Sequence, residues 1–98
     1  MKKKIINNQK ELGVILRGVG DEQRLKLLCV LFKEKSKCVT SLAKETNLNI
    51  ASTSHHLRTL YGLGLLEIKR EGKNICYSLK SEPLLKDLKK IVCKYINN

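Results

Sequence analysis

Long apolar runs are missing from this chain. No stretch approaches the roughly 20 residues that a bilayer span requires, and the basic start, Met1-Lys2-Lys3-Lys4, is not followed by the apolar core of a secretory signal. A cytoplasmic protein without a membrane partner is therefore expected, and in that compartment the four cysteines read as reduced thiols, ligands or switches rather than permanent staples. Paired carboxylates, a nucleophile set beside a base and a glycine-rich phosphate loop are also absent from the sequence, so neither an enzyme nor a cofactor is expected. There is no low-complexity linker and no internal repeat, which makes residues 1–98 one domain. Acidic residues are scarce: 9 Asp+Glu stand against 20 Lys+Arg, a formal net charge of +11. That excess points to a polyanionic partner, although part of it sits in the terminal run Lys2 to Lys4. A chain of 98 residues buries only a modest core, which a dimer interface would supplement.

What is present is a series of short amphipathic helices. Leu12, Ile15, Leu16 and Val19 recur at helical steps in a first helix over 8–19, which Gly18 and Gly20 are expected to end. Asp21 caps a second, over 22–35, whose Leu25, Leu27, Leu28, Val30, Leu31 and Phe32 surround most of the axis, as in a central buried helix. Thr40 is expected to cap a short third helix over 41–46. After the turn Asn47-Leu48-Asn49, a fourth helix over 50–63 starts on the N-cap Asn49 and stops at Gly62 and Gly64, where left-handed backbone is expected. The third and fourth helices form a helix-turn-helix. On the fourth, Ile50, Thr53, Leu57, Leu60 and Tyr61 face the core, and Ala51, Ser52, Ser54, His55 and Arg58 face outward. Such short, hydrogen-bonding side chains suit a helix that enters a major groove.

Beyond Gly64 the period changes to two. The runs 65–70 and 75–79, separated by Glu71-Gly72-Lys73-Asn74, predict a two-stranded hairpin, a wing whose Lys69, Arg70 and Lys73 reach phosphates or the minor groove. Cys76 falls on the outward side of its strand by alternation. Ser81 can cap a last helix with Pro83 in its first turn. Its stripe of Leu84, Leu85, Leu88, Ile91, Val92, Tyr95 and Ile96 is broad enough to serve, with the first helix, as a homodimer interface.

This order of five helices around one wing, with Asp21-Glu22-Gln23-Arg24-Leu25-Lys26-Leu27-Leu28, Ser52-Thr53-Ser54-His55-His56-Leu57, the following Gly-Leu-Gly-Leu-Leu and Tyr77-Ser78-Leu79 closing the wing, resembles the ArsR/SmtB family of winged-helix repressors over about residues 9 to 96. The fold implied is mainly α with a two-stranded wing, in the order helix-helix-helix-helix-strand-strand-helix. The resemblance implies a homodimer on double-stranded operator DNA, contacted by Ser52, Ser54, His55 and Arg58, which a small inducer displaces. His56, nearer the buried side, reads equally as a packed residue or a contact. Neither histidine reads as a metal ligand, because adjacent helical residues diverge by about 100°.

The inducer depends on the cysteines. Metal sensors of this family use Cys-Val-Cys at the third helix, and here the element is Cys38-Val39-Thr40, so no metal site is expected unless Cys38 recruits another cysteine. A second family type places Asp and His ligands on the last helix, which here has Asp87 and no histidine. Cys29 and Cys93 lie at the edges of buried stripes beside Lys26, Lys33, Lys86, Lys89 and Lys90, whose charges are expected to favour thiolates. This pair is similar to that of thiol-based family members, which answer reactive sulfur or oxidants. Cys38 and Cys76 carry no assignment. The alternatives are a thiophilic-metal sensor using Cys38, and a winged helix with no inducer site.

Overall fold

The computed structural model describes residues 6–96, so Lys2 to Lys4 lie outside the described residues. Five helices and three strands follow in the order α1 (Gln9–Val19), α2 (Glu22–Glu34), β1 (Ser36–Cys38), α3 (Val39–Thr46), α4 (Ile50–Gly62), β2 (Leu66–Glu71), β3 (Asn74–Leu79) and α5 (Pro83–Tyr95). The core centres on α2, whose Leu27, Leu28 and Leu31 are fully buried against Leu42 of α3, Leu57 and Leu60 of α4, and Leu65 and Leu66 at the entry to the wing. Each buried leucine contributes on the order of 1.5–3 kcal/mol through removal of apolar surface from water. This helps a chain of modest size hold its reading helix rigidly.

Caps fix where the helices begin. The Asp21 carboxylate accepts from the amides of Gln23 at 2.9 Å and Arg24 at 3.1 Å, and Asn49 Oδ1 accepts from the Ser52 amide at 2.7 Å. Between α3 and α4, Asn47 takes the left-handed conformation with φ 59°, which asparagine tolerates better than most residues. The reversal that makes the helix-turn-helix is thereby set.

Several expectations need correction. Helix α3 starts at Val39, so Thr40 lies inside it; Cys38 holds the N-cap position with no side-chain cap bond. Helix α5 is preceded by Glu82 at the N-cap position rather than Ser81. Gly18 does not end α1, which continues to Val19; a Cβ at Gly18 would collide with the Leu63 side chain, so glycine here permits close approach of α1 to the end of α4. Gly64, at φ 83°, supplies the left-handed residue after α4, whereas Gly62 remains helical. Ile50 and Tyr61, expected in the core, are 57% and 47% exposed.

The sheet has three strands in the order β1-β3-β2, all antiparallel neighbours. The wing hairpin pairs Leu66 with Leu79 through Glu71 with Asn74, and Gly72 at φ 63° makes its two-residue turn possible. On the other edge of β3, β1 pairs Ser36 with Ser78, Lys37 with Tyr77 and Cys38 with Cys76. Three residues are too few to show a period of two, which is why β1 escapes a sequence reading. Its pairing makes β3 a central strand, so Cys76 is buried rather than outward.

Candidate functional site

The candidate DNA-contacting residues lie on α4 and on the wing, and α4 packs against β2. Thr53 is fully buried, its Oγ1 donating to the Asn49 carbonyl at 2.8 Å, and Leu57 and Leu60 anchor the same side of α4 in the core. Locked in that rotation, the helix turns His55 and Arg58 to solvent and leaves Ser52 and Ser54 half-buried beside them. Lys69 and Arg70 on β2 and Lys73 in the wing turn are exposed. The Tyr77 phenol, pushed above its ordinary range by burial, feels an opposing pull from the Arg58 guanidinium. Arg58 therefore sits within electrostatic reach of the wing's central strand. Ile50 adds an exposed apolar group at the start of α4.

His56 has a different task. Arginine can only donate, so the 3.0 Å contact of Arg24 Nη1 with His56 Nδ1 makes that nitrogen an acceptor. Nε2 then carries the hydrogen and donates to Gln23 Oε1 at 2.8 Å. Arg24 Nε also donates to the Gly18 carbonyl, so one half-buried network ties the end of α1 and the start of α2 to the middle of α4. Hydrophobic periodicity offers no signal for it, because the partners of His56 lie 32 and 33 residues away in sequence.

The four cysteines form two distinct sets. Cys29 on α2 is buried and Cys93 on α5 is exposed, and both are free. Burial raises the Cys29 pKa, negative charge on Cys93 raises it further, and Lys33 opposes only in part. The expectation that neighbouring ammonium groups favour a Cys29 thiolate is thus reversed, because desolvation outweighs them. Cys29 also lines an open groove of about 710 Å³, together with Leu25, Lys33, Thr46 and Ile96. Cys38 and Cys76, unassigned from sequence, are joined as a disulfide between β1 and β3, contrary to the expectation of four reduced thiols. Glu71 brings its carboxylate beside this pair; all three donor groups lie within 4.8 Å of one another. No helix among the described residues is long and apolar enough to cross a membrane.

The family model for bacterial regulatory proteins of the arsR family matches residues 21–67. A cadmium resistance transcriptional regulatory protein CadC homolog from Staphylococcus aureus is 35% identical over 75 residues, 76% of this chain and 62% of that protein. The transcriptional activator HlyU of Vibrio cholerae is 30% identical over 74 residues, 76% of this chain and 68% of HlyU. In structure, HlyU superposes with a TM-score of 0.82 at 25% identity, covering 94% of this chain and 98% of that one; reduced HlyU gives the same score over 93% and 94%. The chain spans about 56% of the CadC of Lactococcus lactis, so the curated cadmium-resistance relatives are considerably longer. With the helix-turn-helix inside the matched segment, and with the same five-helix winged architecture as HlyU over nearly its whole length, the chain belongs to the arsR family of bacterial regulatory proteins.

Proposed function

We propose that this chain is a cytoplasmic, homodimeric transcriptional repressor that leaves its operator when a reactive sulfur species or an oxidant couples Cys29 to Cys93. The observation that carries the inducer reading is a pair of free thiols of opposite exposure, Cys29 buried on α2 and Cys93 exposed on α5, and charge on Cys93 contributes to raising the Cys29 pKa. The DNA-binding part is supported by Ser52, Ser54, His55 and Arg58 lying away from the buried face of α4, by the exposed Lys69, Arg70 and Lys73 of the wing, and by the +11 charge. Val14 and Leu16 on α1 and Ile91 and Tyr95 on α5 are exposed apolar groups, the surface through which two copies associate. A dimer sets two reading helices against half-sites about 34 Å apart.

The chemistry follows from the contrast between the two thiols. With peroxide, the accessible Cys93 thiolate attacks the O–O bond, giving a sulfenic acid and releasing hydroxide. The Cys29 thiolate then displaces hydroxide from that sulfur, forming the disulfide; the two hydroxides take up the two thiol protons as water. With a polysulfide, the Cys93 thiolate attacks an S–S bond and expels a shorter polysulfide or hydrosulfide, leaving a hydropolysulfide on Cys93; the Cys29 thiolate then attacks an inner sulfur of that group and expels hydrosulfide, so the bridge carries one or more added sulfurs. Either bridge fastens α2 to α5. Since α2 holds α4 through Arg24 and His56, strain at the bridge reaches the reading helix.

Peptide mapping of reduced protein after peroxide treatment tests this assignment. A Cys29–Cys93 linked peptide is expected, together with a trappable sulfenic acid on Cys93 in the Cys29→Ser variant. Oxidation that reaches neither residue while DNA is released would contradict it.

A further inference from the structure

The pair Cys38 and Cys76 is distinct from the Cys29–Cys93 pair and lies where β1, the start of α3 and the wing strand β3 meet. We propose that, once reduced, Cys38 and Cys76 together with Glu71 bind a thiophilic divalent cation of the zinc or cadmium type. Their three donor groups lie within 4.8 Å of one another. Two sulfurs at about 2.3 Å from a tetrahedral zinc are separated by about 3.8 Å, and a carboxylate oxygen binds at about 2.0–2.2 Å. The cluster therefore closes on an ion with small side-chain movement, leaving a fourth position for water or a small anion. Two thiolates with one carboxylate form a donor set that favours a soft or borderline cation over magnesium or calcium.

Two further features of the fold favour ligation. Cys38 occupies the N-cap position of α3, an eight-residue helix, and makes no side-chain cap bond; once the disulfide is reduced, its sulfur is not engaged in capping, and the positive end of the helix favours the thiolate. Cys76 is held opposite Cys38 by the β1–β3 register, while Glu71 closes the wing hairpin opposite Asn74. The ligands therefore come from three different strands. The ion pins the N-terminus of α3 to the wing turn, so occupancy alters how the wing stands beside α4.

The disulfide and the cation exclude one another. A dithiol reductant delivers two electrons and two protons to the Cys38–Cys76 bond and becomes a disulfide itself; the cation then displaces the two thiol protons. The site is accordingly open only in reduced protein.

The test uses the full chain carrying Cys29→Ser and Cys93→Ser, reduced with a dithiol and titrated anaerobically with cadmium while the thiolate-to-metal charge-transfer band is recorded. One cadmium per chain with a two-thiolate band is expected. Cys76→Ser should abolish the band. Glu71→Gln, at an exposed position that leaves the fold unburdened, should weaken binding on the order of tenfold or more, with the circular-dichroism spectrum unchanged. Unaltered cadmium affinity in both variants would overturn the proposal, as would a Cys38–Cys76 bond that stays closed under the reductant while the helical fold persists. Since the background lacks Cys29 and Cys93, neither result bears on the peroxide-driven switch.

Discussion

Arg24 of α2 donates to His56 of α4 across 3.0 Å, joining the helix that carries Cys29 to the helix that faces outward as the reading element. With Gln23 on the second ring nitrogen, His56 is held at both ends, and both of its bonds run between α2 and α4. Replacing His56 with leucine keeps the bulk and removes both bonds. Leaving half-buried Arg24 without its partner costs on the order of 1–3 kcal/mol. The expected outcome is a modest fall in melting temperature with a larger loss in coupling between thiol oxidation and DNA release, measured as the ratio of reduced to oxidised affinity. A variant that melts earlier but keeps that ratio would make the network structural only.

Sequence specificity should reside on α4. Arg58→Ala and Ser54→Ala are each expected to weaken specific binding by on the order of 1–3 kcal/mol per base contact, with little change in stability, since Arg58 is exposed and Ser54 only half-buried. Competition between a selected duplex and random DNA distinguishes base reading from backbone contact. Equal losses on both would assign these residues to phosphates.

Lys69, Arg70 and Lys73 should behave differently. Removing any one of them is expected to lower affinity for all duplexes alike and to reduce the slope of log affinity against log salt by about one. If the slope for the unmodified chain were flat despite a charge of +11, electrostatic docking of this face would be wrong.

Asp21 gives the fold an acid dependence. Its carboxyl is held below the ordinary value chiefly by the hydrogen bond from the Arg24 amide, against some desolvation, with the Arg24 charge adding to the effect. A carboxyl whose folded pKa is depressed stabilises the fold above its unfolded value, near 3.8, and loses that contribution as pH falls through the folded value. Asp21→Ala should cost about 1 kcal/mol at neutral pH by removing the cap. Asp21→Asn should retain most of the cap and show a weaker fall in stability on acidification, which urea melts across the acid range would record.

Much of this was legible in the sequence for local reasons. Asp21 and Asn49 announce their helices because the cap and the amides it binds are within three residues, and the leucines of α2 reveal a central helix by surrounding its axis. Pairings over long separations were not legible. Cys38 meets Cys76 at a sequence separation of 38 through a strand too short to show alternation, and that pairing moved Cys76 from the surface to the interior. Ile50 was misplaced because its helical spacing fits the core face, yet it lies in the first turn of α4 beyond the edge of the packed residues. The lysines around Cys29 were visible, while the burial that overrides them was not.

The thiol pair also predicts a pH dependence for its second step. Because burial raises the Cys29 pKa and persists after Cys93 has become a neutral sulfenic acid, bridge closure should be slow at neutral pH and accelerate as pH rises through and beyond the usual thiol range near 9.0. Stopped-flow trapping of the Cys93 sulfenic acid would follow that step. A closure rate already maximal at neutral pH would require a Cys29 thiolate that the fold does not favour.

Operator release is the decisive measurement for the thiol switch. Reduced protein is bound to a duplex that it has itself selected from a random library, then treated with peroxide or polysulfide, and fluorescence anisotropy follows dissociation for the unmodified chain, Cys29→Ser and Cys93→Ser. All three are expected to bind when reduced, only the unmodified chain to be released, and a reductant to restore its binding. Release of both variants at the unmodified rate would contradict the switch.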